Sequence, residues 1–291
     1  MFEKLLVPTD LSLSGERILD YVGGLKDAGA KDVLLAHVSM GEGQQDFVLT
    51  EREERASDRM NRESQIMRRA GLKVKSLFLR GEPPQELLRV AAEEHVGLIV
   101  SGSHGKSPLD EMILGSTSET LGRRSSKAPV LLVRYGILEE KTKDAARAVG
   151  RNAFKRLLLP TDFSDCSEKA LNFIVNNLKE TGVDQVIVTH VVDDRHLLTM
   201  SKRDALKKER RENLEKIAAR IRGKVKVETH LLSGSPVAEI LRLAGETDVN
   251  TIVVGSHGKG LVREAFVGSV SQNVIRMANK PVLVIPHEYV V

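Results

Sequence analysis

Short apolar runs alternate with longer amphipathic stretches along this chain, and the alternation runs through twice. In the first half, KLLVP reads as an apolar strand closed by proline, and SGERILDYVGGLKDAG follows with helical periodicity and a glycine stop. DVLLAHV is a second strand, and a polar helix covers roughly 50–70, ending at Gly71. KVKSLFLR is a third strand, and PPQELLRVAAEEH is a helix with prolines in its first turn. GLIVSG is the fourth strand, the stretch after Gly115 opens a helix, and PVLLVR is the fifth strand. These runs lack strict alternation, as expected for strands covered on both faces. Five such units predict an α/β fold, a doubly wound parallel sheet with helices on both sides. The order of the strands is left open.

The second half repeats the first at an offset of 152 or 153. LLVPTDLS (5–12) meets LLLPTDFS (157–164), GEPPQELLR (81–89) meets GSPVAEILR (234–242), and APVLLV (128–133) meets KPVLVI (280–285). The order of matching blocks is the same in both halves, so a whole domain is duplicated; the period is too long for a solenoid repeat. The expected boundaries are 1–135 for the first domain, 136–153 for a linker without a counterpart, and 154–291 for the second domain. The charge and alanine content of the linker allow a short helix.

Composition narrows the reading only a little. With 3% aromatic residues and no Trp, the cores must be built from Leu, Val, Ile and Ala. A net charge of +4 on a highly charged chain gives mild support to an anionic ligand and no case for DNA. The basic stretch 202–226 reads better as a solvated amphipathic helix, with Leu206, Leu214 and Ile217 inward, than as a nucleic-acid face. The single cysteine, Cys166, excludes an internal disulfide framework. The N-terminus turns polar too soon for a signal peptide, and no run reaches the ~18 apolar residues of a membrane span. The expectation is a cytoplasmic protein that needs no membrane and has no evident use for nucleic acid.

Chemistry enters with a glycine pattern written twice. GSHGKSPLDEMILGS (102–116) and GSHGKGLVREAFVGS (255–269) keep their glycines while the spacer residues differ. Ligands of open α/β sheets sit outside the carboxyl ends of the strands, where the strand order switches. Gly102 and Gly255 fall at such an end. Gly115-Ser116 and Gly268-Ser269 open the following helix, whose free N–H groups and partial positive charge suit phosphate. Gly105 and Gly258 complete the pattern and let the backbone approach an anion. Ser116, Thr117 and Ser118 add hydroxyls, as do Ser269 and Ser271 in the second copy. The result is a phosphate cradle made mostly of main chain.

His104 and His257 are candidates for phosphate contact, with a plain loop role equally open. Asp10 and Asp162, in PTD at the end of the first strand, can accept hydrogen bonds from sugar hydroxyls or a base amine; the competing role is a helix cap, which Ser12 or Ser14 could fill instead. His37 and His190 read as structural, and the main chain at Val38 and Val191 is the better ligand candidate. Cys166 starts a helix, where its thiol pKa could fall, but small-residue packing is the favoured role. Walker A fails because Val100 stands where glycine is required, and GxGxxG is absent.

This ordered set, Gly-x2-Gly-x9-Gly-Ser after a strand with PTD at the start and HV ending strand two, resembles the universal stress protein family and most resembles its nucleotide-binding branch. The likeness spans nearly the whole chain apart from the linker. It implies two tandem domains of adenine nucleotide alpha hydrolase type, each with a five-stranded parallel sheet and ATP, ADP or AMP in the crevice. Val38 would meet the adenine through its main chain, Pro8 and Thr9 would shape that side, and Asp10 would meet the base or ribose. Gly102, Gly105, Gly115, Ser116 and Thr117 would hold phosphates, with Ser118 nearby. Val191, Pro160, Thr161, Asp162, Gly255, Gly258, Gly268, Ser269, Val270 and Ser271 take those roles in the second domain. Val270 replaces Thr117 and loses a hydroxyl but keeps a main-chain N–H. Mg²⁺ would enter only through the phosphates, since no metal ligand is assigned.

The resemblance also implies pairing through the fifth strands, within the chain as a pseudo-dimer, with room for a further homodimer and for an unidentified protein partner. It points to a nucleotide-responsive stress or regulatory binding protein. The alternative is a slow ATPase or phosphotransferase in the same crevice, for which no catalytic residue is assigned and His104 and His257 stay open.

Overall fold

The computed structural model describes residues 2–12, 15–40, 46–103, 115–125, 127–193, 200–256 and 269–289. The chain divides into two compact units, Met1–Leu121 with Val130–Asn152, and Ala153–Val291 with Gly122–Pro129.

The first unit contains β1 (Lys4–Pro8), α1 (Glu16–Gly24), β2 (Asp32–Ser39), α2 (Asp46–Arg69), β3 (Lys73–Arg80), α3 (Pro83–Glu93), β4 (Leu98–Ser103), α4 (Ser116–Arg124, its last residues falling in the second unit), β5 (Val130–Arg134) and α5 (Lys143–Arg151). The second contains β6 (Arg156–Pro160), α6 (Asp165–Thr181), β7 (Gln185–Val192), α7 (Met200–Ile221), β8 (Lys226–Ser233), α8 (Pro236–Glu246), β9 (Thr251–Gly255), α9 (Ser269–Met277) and β10 (Val282–Ile285). The order in the first sheet is β3-β2-β1-β4-β5 and in the second β8-β7-β6-β9-β10. Within each unit the strand pairings are parallel. Each sheet is thus doubly wound, as the alternation predicts. The order reverses between β1 and β4, where Leu5 pairs Leu98, and between β6 and β9, where Leu157 pairs Thr251.

The central strands are apolar because helices cover both faces: Leu5, Leu6, Val7, Ile99 and Val100 are fully buried, as are Leu158, Leu159, Ile252 and Val253. Helix starts follow local chemistry. The Glu82 side chain accepts the Gln85 N–H ahead of the prolines of α3, and Ser164 accepts the Ser167 N–H at the start of α6. The helix expected over roughly 50–70 begins at Asp46, because Phe47, Val48 and Leu49 carry the pattern back with no turn residue between. On α7, Leu214 and Ile217 are buried as expected, while Leu206 is half-buried.

The stretch 136–153 contains α5, which packs on α1 in the first unit. Two glycines permit that approach. A Cβ on Gly24 would lie 2.1 Å from the Arg147 carbonyl oxygen, and one on Gly150 would lie 2.0 Å from that of Tyr21. Asp20, buried on α1, faces Arg17 at 3.6 Å and Arg147 at 3.7 Å.

Candidate functional site: a repeated turn beside a helix start

The PTD turn has the same construction in both units. Thr9 N donates to the Ala36 carbonyl at 2.9 Å, and Thr161 N to that of Thr189 at 2.8 Å, extending each strand pairing by one residue. The threonine hydroxyl then accepts the main-chain N–H two residues on, from Leu11 at 2.9 Å or Phe163 at 3.0 Å. The aspartate does the same one step later: Asp10 Oδ1 accepts Ser12 N at 2.9 Å and Asp162 Oδ1 accepts Ser164 N at 3.0 Å. These side chains hold Leu11 and Phe163 at φ of 58° and 59°, a region that large residues rarely occupy. The neighbouring strand braces the turn from the other side. His37 Nδ1 donates to the Thr9 carbonyl at 3.0 Å and His190 Nδ1 to that of Thr161 at 2.7 Å. Both histidines are therefore integral to the turn, and they fix the strand end that carries Val38 and Val191.

Neither aspartate caps the following helix. Gly15 stands at the start of α1 without a side-chain cap, and Ser164 caps α6. Each carboxylate is held in place by the turn beyond the carboxyl end of β1 or β6.

The glycine pattern resolves into glycines with different reasons. A Cβ on Gly102 would lie 2.9 Å from Ile18 Cγ1, so this glycine makes room for α1. A Cβ on Gly255 would lie 2.6 Å from the Cys166 carbonyl oxygen, so that one lets the first turn of α6 touch β9. Gly115 is unlike both. No described heavy atom lies within 4 Å of a Cβ built there, and its φ is not left-handed. Its carbonyl accepts the Glu119 N–H at 2.9 Å and so opens α4. The amides of Ser116, Thr117 and Ser118 have no carbonyl to reach within the helix. Ser118 Oγ donates to the Gly102 carbonyl at 2.7 Å and receives Ser101 Oγ at 2.9 Å, tying the α4 start to the end of β4. In the second unit Ser269, Val270 and Ser271 open α9, with Ser269 and Val270 exposed. His104, Gly105, His257, Gly258 and Gly268 lie outside the described residues. Among the described residues, no group of three or more His, Cys, Asp or Glu is placed to hold a metal ion. No described helix is long and apolar enough to cross a membrane.

The sequence and the fold have known relatives. The family model described as the universal stress protein family matches residues 1–134 and again 153–286. The chain belongs to the universal stress protein family. A universal stress protein from Archaeoglobus fulgidus has a similar crystal structure, with a TM-score of 0.74 and 29% identity over 98% of this chain and 99% of that one. The universal stress protein MJ0577 of Methanocaldococcus jannaschii is 33% identical, covering 45% of this chain and 94% of its own length. The universal stress protein YxiE of Bacillus subtilis is 34% identical, covering 45% of this chain and 99% of its own. Single-domain relatives of half the length fit the division of this universal stress protein into two tandem domains.

Three features escape a sequence reading. Arg59 on α2 donates to the Leu11 carbonyl at 2.6 Å and so pins the left-handed residue of the first turn. Glu63, one turn further along α2, is 5% exposed and hydrogen-bonds to the Thr9 hydroxyl. Burial pushes its carboxyl up to about 7; the Asp10 and Glu16 carboxylates add to the rise, while the Thr9 hydroxyl and Arg59 oppose it. A signal was present: Met60, Glu63, Ser64 and Met67 share the inward face of α2, where a glutamate is out of place. Cys166 is the third. It is buried, with Sγ 3.4 Å from His287 Nδ1, while Lys169 Nζ donates to the His287 carbonyl.

Proposed function

We propose that each unit binds an adenine nucleotide outside the carboxyl ends of β1 and β4, or of β6 and β9, and that the protein acts as a nucleotide-responsive regulatory binding protein. Gly115 is the observation that carries this reading. Neither crowding by described atoms nor a left-handed φ requires glycine there, yet glycine recurs at the matched position, Gly268. A bare backbone at a helix start, beside the strand-order switch, suits a phosphate group that must approach the main chain closely. The ordered PTD turn supports an adenosine end beside it. Its aspartate is held by the turn at the crevice mouth, and the braced strand end offers the main chain of Val38 or Val191. ATP, ADP and AMP share the chemistry this site would recognise, and Mg²⁺ would arrive with the phosphates.

The functional consequence is linkage. A ligand that binds the folded state alone stabilises it by RT ln(1 + [L]/Kd), about 2.7 kcal/mol at a hundredfold excess over Kd. ATP at millimolar concentration should therefore raise the melting temperature of the intact chain by several degrees. An unchanged melting temperature in a folded sample, with no nucleotide released from the native protein on denaturation, would refute the reading.

A further inference from the structure

We infer that Glu63 is a proton-controlled positioning residue of the first crevice: its protonation state sets how firmly α2 holds the 8–11 turn, and with it how tightly that crevice takes an anionic nucleotide. The inference rests on the nucleotide reading above and adds a difference between the two crevices that the glycine pattern does not contain.

The geometry carries it. Arg59 and Glu63 lie four residues apart on α2 and grip the same turn at two points, the Leu11 carbonyl and the Thr9 hydroxyl. The Thr9 hydroxyl stands between them, accepting the Leu11 N–H and giving its own hydrogen to Glu63. The second carboxyl oxygen of Glu63, Oε2, is buried without a hydrogen-bond partner among the described residues. A neutral carboxylic acid tolerates that position far better than a carboxylate does.

The charged groups facing Glu63 are Asp10 from the turn, Glu16 from α1 and Arg59 from α2. His37 of β2 stands across the turn, on the Thr9 carbonyl. Two of these neighbours are acids, and the one cation, Arg59, is already engaged with Leu11. Ionisation of Glu63 therefore adds negative charge beside a crevice meant for an anion, and competes with the Leu11 carbonyl for Arg59. The carboxyl, raised to about 7, crosses between these states near neutral pH.

Among its described residues the second unit lacks the device. Arg210 of α7 lies 5.4 Å from the centre of the Phe163 ring, as Arg59 of α2 reaches Leu11, so the residue four further along that stands in the place of Glu63 is the buried Leu214. Thr161 gives its hydrogen to Ser167 Oγ at 3.0 Å, and Ser167 in turn donates to the Ser164 carbonyl at 2.9 Å. Gly15 stands in the place of Ser167 in the first unit, so Thr9 has no hydroxyl there to turn to.

The test is a carboxyl-¹³C NMR titration of the intact chain between pH 5 and 9, with and without ATP, alongside calorimetric ATP titrations of wild type and Glu63→Gln at pH 6 and 8. The terminal phosphate of ATP titrates in the same range, and the second crevice, which meets the same ligand, serves as the reference. The expected result is a Glu63 midpoint near neutrality that rises when ATP binds. First-site affinity should be roughly fivefold weaker at pH 8 than at pH 6 relative to the second site. Glu63→Gln should hold the tight value at both pH values.

If ATP binds both units while the Glu63 midpoint stays put, proton control is refuted and the nucleotide reading survives. Proton control is refuted in the same way if Glu63→Gln keeps the wild-type pH dependence. If ATP binds neither unit at any pH, the nucleotide reading fails and the inference falls with it. The NMR titration uses wild-type protein, so it stands even if the variant folds poorly.

Discussion

In the first unit the Thr9 hydroxyl gives its hydrogen to a glutamate on α2; in the second, Thr161 gives its hydrogen to Ser167, in the first turn of α6. The turns themselves match. Leu11 and Phe163 sit within one degree of each other in φ, and each aspartate accepts the same N–H two residues on. Two copies of one domain have therefore kept the backbone of the turn and changed the side chains behind it. A backbone that is held by different means in each copy is the feature a ligand would read. The supporting contacts are free to differ, and here the difference places a buried carboxyl behind the first turn and a serine hydroxyl behind the second.

The glycines offer the sharpest way to break this comparison. Gly255→Val drives a side chain into the main chain of Cys166, so it should destabilise the protein by about 3 kcal/mol or more, seen as an early loss of the far-UV signal on heating. A Cβ at Gly115 meets no described atom within 4 Å, so Gly115→Val has room that Gly255→Val lacks. The Gly115 variant should leave the circular dichroism spectrum and melting temperature intact and weaken ATP binding in the first unit about a hundredfold or more, measured by calorimetry. Equal loss of stability in the two variants would show that both glycines serve packing alone.

The pH dependence of stability comes next in size. The folded pKa of Glu63 lies above its value in the unfolded chain, so the native state holds the proton more tightly. The resulting stability is fully present below about pH 4.5 and is lost as pH climbs to about 7, a change on the order of 3 kcal/mol. Urea unfolding of wild type against Glu63→Gln across that window should show the variant without this slope. Parallel slopes would mean that Glu63 ionises freely in the fold.

Ser167→Gly should have the smallest effect. It leaves Thr161 as Thr9 would be without its glutamate, at a cost of about 1 kcal/mol. Adding Leu214→Glu should recover part of that loss at pH 5 and less at pH 8, read by the same urea titrations. No recovery at either pH would show that the two partners are not interchangeable.

Much of this organisation is legible in the chain itself. KLLVP and KVKSLFLR coincide with β1 and β3 because proline, glycine and charge punctuate them. The double occurrence of PTD marks a turn worth keeping, since few residues other than Thr and Asp can tie a backbone back on itself two residues later. Strand order is not legible, because an apolar run says that it is covered and not by which neighbour. The purpose of Gly255 is hidden for a related reason: it depends on how closely α6 approaches β9, a tertiary distance. The contact between Cys166 and His287 spans 121 residues with no pattern linking them. Glu63 was open to detection, as a charge on the inward stripe of a helix, but its partner Thr9 is more than fifty residues away and belongs to a different element.

The most direct measurement is a crystal structure of the intact chain grown with excess ATP. The account predicts nucleotide in both units, with phosphate oxygens ~3 Å from the main-chain nitrogens that open α4 and α9, and the adenosine end beside the 8–11 and 160–163 turns. Nucleotide bound away from these helix starts, or both crevices closed by the protein's own side chains at saturating ATP, would contradict it.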